Sequence, residues 1–181
     1  MARIYENAGY EVIRVNYQGD VGMHVAKALW GVDRLKEEFK KIKTKFLTEK
    51  IIFLGRAYAY GAKAFEENEK AKTEILLYNE KVYEQDKSIQ TTYKITRKWS
   101  LNYFALIYKK LDTKYDQMYF ESEVFERGIK LVEEFLKKGI FVKSEGAIIF
   151  PGSKYGLHDR VFINSKGYPT YEAKELALAE K

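Results

Sequence analysis

"GYEVIRVNYQGDVGMH", Gly9 to His24, is the stretch that decides the fold. Val12, Ile13, Val15 and Tyr17 form a dense β-favouring run with little alternation, the pattern of a strand covered on both faces in a parallel sheet. Upstream, "ARIYENA" reads as the tail of a helix that stops at Gly9. A helix followed by such a strand is the αβ half of a doubly wound unit. Ligands of α/β sheets bind at the carboxyl ends of parallel strands, and "NYQGDVGMH" begins there. Gly19 and Gly22 let backbone approach a ligand closely. Asp20 either holds an ammonium group or a metal near that crevice, or caps the helix that starts near Met23. His24 either overlooks the same crevice or serves the helix structurally.

Three sections are expected along the chain: a partial catalytic-type core over 1–33, a helical insertion over 34–138, and a β-rich return to the core over 139–181. Apolar residues at helical spacing mark the middle: Leu35, Phe39, Ile42 and Phe46, then Ala71, Ile75, Tyr78 and Val82. Ser100 is read as a cap before Leu101, Phe104, Ala105, Tyr108 and Leu111. Val124, Leu131, Phe135 and Leu136 give another helix, stopped at Gly139. In the last section, "GIFVKSEGAIIF" reads as two short strands joined at Ser144-Glu145-Gly146, and "DRVFINSKGYPTY" as a strand and turn. Leu54, Gly55 and Tyr58 have the look of a helical repeat, but no second copy follows at a period of about 34 residues. They are assigned instead to close packing within one helix hairpin.

"GYPTYEAKELALAEK", Gly167 to Lys181, opens a helix after a turn, and the chain then ends without a helix-stop residue. Both ends therefore read as cut from a larger domain. Tyr171 and Glu175 are four apart and share one helix face. A carboxylate beside a phenol suits a cation, and a guanidinium best, because its fork matches a carboxylate in bidentate fashion. The other reading of the pair is a helix-dipole Glu with Tyr171 as packing.

Composition narrows the function classes. The chain has no cysteine, which excludes disulfides and thiolate metal sites, and its two histidines, His24 and His158, lie far apart. No apolar run approaches the roughly 20 residues of a membrane span, and the first residues lack a signal-peptide core. A soluble, cytoplasmic protein is the expectation. The net charge of +6 favours an anionic partner such as nucleic acid or nucleotide. Neither G-x-x-x-x-G-K-[ST] nor G-x-G-x-x-G occurs, and no nucleophile stands out beside a base.

Three longer stretches carry a family resemblance. "GYEVIRVNYQGDVGMHVAKALWG", "FESEVFERGIKLVEEFLKKGIFVKSEGAIIFP" and "YGLHDRVFINSKGYPTYEAKELALAE" resemble successive pieces of the catalytic domain of class I arginyl-tRNA synthetases. The order D-R-V, then G-x-P-T-Y, then an acidic residue four after the Tyr is the most specific part. The resemblance implies an incomplete Rossmann-like parallel sheet interrupted by a large, mainly helical connective insertion. It implies arginine activation with ATP and Mg2+ and transfer to tRNA(Arg). Tyr171 matches the tyrosine that contacts arginine, and Glu175 matches the acidic partner of the guanidinium, where the family usually has Asp. Gly19, Asp20 and Gly22 match the G-D-x-G turn near the crevice, with Val21 in place of the usual aromatic. The ATP signatures H-x-G-H and K-M-S-K-S do not occur in the chain, so it is expected to be inactive alone. A non-catalytic helical module binding RNA or protein is the rival expectation.

Overall fold

A computed structural model describes residues 1–181. The molecule is mostly helical α/β, and it divides into two compact units, Met1–Gln117 and Met118–Lys181. No helix is long and apolar enough to cross a membrane.

The first unit opens with a short helix, α1 (Ala2–Asn7), and a loop through Gly9 to strand β1 (Val15–Gln18). The expected strand over 11–17 thus starts only at Val15, with Ile13 in the loop before it, 65% exposed. The strand is not covered on both faces, since Val15 is exposed too. β1 and β2 (Gln117–Phe120) form a parallel sheet of only two strands. The Arg14 carbonyl accepts from the Asp116 N–H at 2.8 Å, and the Asp116 carboxylate accepts from the Arg14 N–H at 2.8 Å.

Five helices follow: α2 (Met23–Arg34), α3 (Lys36–Ile42), α4 (Leu47–Glu67), α5 (Glu69–Tyr83) and α6 (Lys87–Lys110). Val32, Phe39, Phe53, Ala57 and Trp99 form one core cluster, and Ala26, Trp30, Ala71 and Ile75 form another. Phe53 is fully buried, and truncating such a ring costs about 3–5 kcal/mol. The apolar spacing of α5 is realised, with Ala71, Ile75 and Val82 buried. That of α3 ends early. Phe46 lies outside the helix and exposed, and its N–H instead donates to the Glu49 carboxylate at 3.1 Å to start α4.

Two further expectations are corrected. Ser100 caps nothing: α6 runs unbroken through it, and its hydroxyl donates back to the Thr96 carbonyl at 3.2 Å. The cap is Asp86, whose carboxylate accepts from the Ser88 N–H at 2.7 Å. Close helix packing, meanwhile, falls not at Gly55 but at Gly31 and Gly61. A Cβ on Gly31 would lie 2.0 Å from the Ala57 carbonyl oxygen, and one on Gly61 would lie 2.1 Å from that of Lys27. These two glycines let α2 and α4 touch backbone to backbone.

The second unit packs α7 (Glu121–Lys137) and α8 (Tyr171–Leu178) with a three-stranded antiparallel sheet, β3 (Val142–Ser144), β4 (Ala147–Phe150) and β5 (Arg160–Ile163). α7 stops at Gly139, as its sequence predicts. The expected turn joins β3 to β4 through Glu145 and Gly146, both at positive φ, which is the geometry a two-residue hairpin needs. Val132, Phe141, Ile163 and Ala173 make the core. Here too a glycine sets the spacing: a Cβ on Gly128 would meet the Ala173 carbonyl oxygen at 2.3 Å.

Candidate functional site

Each unit presents one set of the residues that the sequence singles out. In the first, β1 delivers the chain into the Gly19–Gly22 turn, and α2 starts directly after it. Gly22 has φ +102, a conformation strained for any L side chain, so the turn needs glycine there. Val21 points down instead of into solvent, packing with Leu29, Val82 and Ile89. A small aliphatic side chain fits that core position.

Above the turn lies a cleft of about 810 Å³ walled by β1, α2, α4 and α6. Gly19, Asp20 and His24 line it, with Tyr58, Tyr93 and Arg97 among the facing side chains. Asp20 is only 8% exposed and does not cap α2, whose first turn has no side-chain cap. It accepts instead from Arg97 Nε at 2.8 Å, and the Tyr93 hydroxyl donates to its backbone carbonyl at 3.0 Å. The cation that Asp20 holds is therefore internal, a guanidinium from α6. Burial, with the Asp20 charge beside it, pushes the Tyr93 phenol far above its ordinary range, so Tyr93 stays a neutral donor. His24 is exposed and donates from Nε2 to the Gly19 carbonyl at 3.2 Å, which ties the helix back onto the turn.

Further along β1, Asn16 and Gln18 both donate to the Tyr108 hydroxyl, at 2.7 and 3.0 Å. The other atom of the Gln18 amide, its oxygen Oε1, is buried with no partner in the protein. A buried amide oxygen without a donor, on the wall of a cleft, is a ready acceptor for a ligand N–H or O–H.

In the second unit, Tyr171 and Glu175 stand where their spacing predicts, on one exposed face of α8. Tyr171 is 55% exposed. Its phenol is held above the ordinary value of 10.0, first by its hydrogen bond to the Glu175 carboxylate and then by that group's charge. A protonated phenol beside an ionised carboxylate is a donor–acceptor pair, suited to a ligand with N–H groups and positive charge.

Sequence reasoning missed what holds this face. Lys174 turns inward and donates to the Glu121 carboxylate at 2.6 Å, with both side chains 8% exposed. Lys174 is only one turn from Tyr171, so helix spacing alone does not turn it inward, and nothing local reveals a partner 53 residues away. Arg127 donates from Nε and NH2 to both carboxylate oxygens of Glu180 at 2.7 Å, a bidentate pair at the far end of α8. Together with the contact at Gly128, these pairs fix α8 on α7.

Comparison with known proteins gives a consistent answer. A family model described as "tRNA synthetases class I (R), catalytic domain" matches residues 1–181. An arginine–tRNA ligase from Borreliella afzelii is 29% identical over 189 residues, covering 97% of this chain and 31% of that protein. One from Amoebophilus asiaticus is 25% identical over 203 residues, covering 99% of this chain and 33% of that protein. The chain thus spans about a third of the length of these curated relatives. Among solved structures, an arginyl-tRNA synthetase from Plasmodium falciparum superposes with a TM-score of 0.66, covering 98% of this chain and 29% of that one. A putative arginyl-tRNA synthetase from Campylobacter jejuni superposes with a TM-score of 0.56, covering 98% and 37%. Sequence identity to both is 19%, so these two matches speak to the fold alone.

Proposed function

This chain belongs to the family of class I arginyl-tRNA synthetase catalytic domains, and we propose that it works as part of an arginine–tRNA ligase. In that reading Tyr171 and Glu175 form half of an arginine pocket. Glu175 receives the guanidinium, and Tyr171, kept protonated by the same carboxylate, orients it. The carrying observation is their shared exposed face on α8, braced from behind by the buried Lys174–Glu121 pair. Gly19, Asp20, Gly22 and His24 belong to the active-site crevice, with Asp20 acting through Arg97 and Tyr93 to shape the wall. The reaction joins arginine to tRNA(Arg) by way of an adenylate.

The finer fold follows from the same reading. β1 and β2 are two strands of a Rossmann-like parallel sheet, into which a helical connective insertion is set. The exposed Val15 of β1 supports this, because a β-branched run without alternation is the composition of a strand with both faces covered.

ATP and Mg2+ are the family's co-substrate and ion, but the residues here do not fit a triphosphate. Arg97 is the one Lys or Arg lining the cleft, and Asp20 already engages it. No phosphate chemistry is therefore assigned to these side chains. The part they play is to bind and orient the amino acid, which in such enzymes supplies much of the rate through positioning.

The test is arginine-dependent ATP–pyrophosphate exchange. The chain alone is expected to give none, and the complete ligase carrying it should give exchange that depends on Glu175. Exchange by the pure chain would overturn the assignment of the missing parts. A complete protein that is inactive yet binds RNA tightly would favour the rival, a non-catalytic binding module, which the basic character of the first unit supports.

A further inference from the structure

The buried side of α8 consists of Ala173, Lys174 and Ala177, each 6% exposed or less. A lysine between two buried alanines is unexpected, because a Leu or Met would fill the same space without needing a partner. The ammonium is matched by Glu121 at the start of α7, whose carboxylate accepts from Lys174 Nζ at 2.6 Å. Other ion pairs of this unit are built at the surface. The side chains of Arg127–Glu180 and Arg160–Glu172 are 33–62% exposed, against 8% for both members of Lys174–Glu121. Stability does not explain the buried pair. Desolvating two charges costs about what their attraction returns, and a well-packed apolar pair does as well or better.

What the pair changes is the charge beside Tyr171 and Glu175. Lys174 is next to Glu175 in the chain and one turn from Tyr171, so its ammonium belongs to the helix that is to receive a guanidinium. Left alone, that charge would offset the Glu175 carboxylate and repel a cationic ligand. Glu121 neutralises it. The field of Glu121 reaches the site, since it adds to what holds the Tyr171 phenol above its ordinary value, after the larger effect of Glu175. The other carboxylate of α8, Glu172, is matched separately by Arg160 Nη1 at 3.9 Å. Glu175 has no cation in ion-pair reach, and its neighbour is the Tyr171 phenol. Glu121, Lys174 and Glu175 therefore sum to one negative charge, and it falls on Glu175.

We propose that Glu121 is a specificity-determining residue for a cationic substrate: it neutralises Lys174, so that Glu175 is the single uncompensated charge of the pocket. This role rests on the reading of Tyr171 and Glu175 as an arginine pocket.

The experiment compares arginine with citrulline, which has the same shape but a neutral urea in place of the guanidinium. In the complete ligase, the Michaelis constant for arginine and the inhibition constant of citrulline are measured for Glu121→Gln, Lys174→Gln and the two changes together. Glu121→Gln keeps an acceptor for Lys174 but uncovers its charge. It should raise the arginine constant about tenfold, the order expected of one unit charge about a helical turn away. The citrulline constant should hardly move, because a neutral ligand does not feel that charge. Lys174→Gln should not raise the arginine constant, since it uncovers a carboxylate and adds no cation. The Gln/Gln double variant restores the net charge and should bring the arginine constant back close to its original value. Lys174→Met/Glu121→Leu does the same with an apolar pair, and it decides the matter if a single variant does not fold.

An unchanged arginine constant in Glu121→Gln would overturn the proposal. Arginine and citrulline weakened equally, or Lys174→Gln as impaired as Glu121→Gln, would do so too, because those are the marks of displaced structure. A folded double variant of either kind with a tenfold weaker arginine constant would also overturn it. If Glu121 fails these tests while Glu175→Gln still raises the arginine constant, the pocket stands and only the role of Glu121 is withdrawn. If Glu175→Gln changes nothing, the pocket itself has failed.

Discussion

The two units solve one packing problem in the same way and their electrostatic problem in opposite ways. In each, a glycine brings two helices to backbone contact: Gly31 against Ala57 in the first, Gly128 against Ala173 in the second. The charges differ. The first unit carries 22 Lys and Arg against 16 Asp and Glu and buries Asp20 against Arg97. The second is balanced overall and buries a full Lys174–Glu121 pair between α7 and α8. The difference teaches where each unit keeps its buried charge: the first holds a carboxylate at its cleft with a partly exposed guanidinium, whereas the second seals a complete ion pair under α8.

The largest expected effects come from the buried pair. Removing one partner, as in Lys174→Met, strands a buried carboxylate and should cost about 3–5 kcal/mol. The double change Lys174→Met/Glu121→Leu should recover most of that loss in urea melts, because a well-packed apolar pair avoids desolvation. If the double variant recovers stability but loses the arginine response, the pair is there to place α8.

Glycine contacts come next. Gly31→Ala drives a Cβ into the Ala57 carbonyl and should destabilise by about 3 kcal/mol. Gly55→Ala, in the same α2–α4 neighbourhood but with nothing near its Cβ, should instead stabilise by up to about 1 kcal/mol. Thermal melts followed by circular dichroism would separate them. Similar values for the two would mean that α2 and α4 do not touch as described.

The contrast also shows what the sequence made legible. The Glu145–Gly146 hairpin, the stop at Gly139 and the start of α8 at Tyr171 are local signals, carried by turn residues and helix spacing, and each appears where expected. The same holds for the shared face of Tyr171 and Glu175. What stayed hidden depends on distant partners. Asp20 has the sequence of a helix cap, but Arg97, 77 residues away, claims it. Ser100 has the sequence of a cap as well, yet Trp99 beside it is buried, and a break there would expose the ring. Gly55 drew attention through its neighbours Leu54 and Tyr58, whereas the glycines that matter are defined only by which backbone lies opposite.

A smaller effect tests the start of α6. The Ser88 hydroxyl and N–H hold the Asp86 carboxyl below its ordinary value of 3.8. A depressed folded value means that the cap's contribution is complete above the unfolded value and is lost as pH falls through the folded one. Stability measured from neutral pH down past pH 3.8 should therefore fall less steeply in Asp86→Asn, which keeps an acceptor but has no proton to gain. Parallel curves for the two proteins would remove the cap from the account.

The arginine pocket is tested most directly by the Michaelis constant for arginine in the complete ligase carrying Glu175→Gln. The substitution keeps the shape and removes the charge, so a charge-assisted bidentate contact becomes at best a neutral hydrogen bond. A loss of that kind corresponds to about a ten- to hundredfold rise in the constant for arginine. The constant for ATP should stay close to its original value, and Glu175→Asp should keep the activity. Equal arginine constants for the Gln variant and the unchanged ligase would contradict the account and leave the pocket resting on Tyr171.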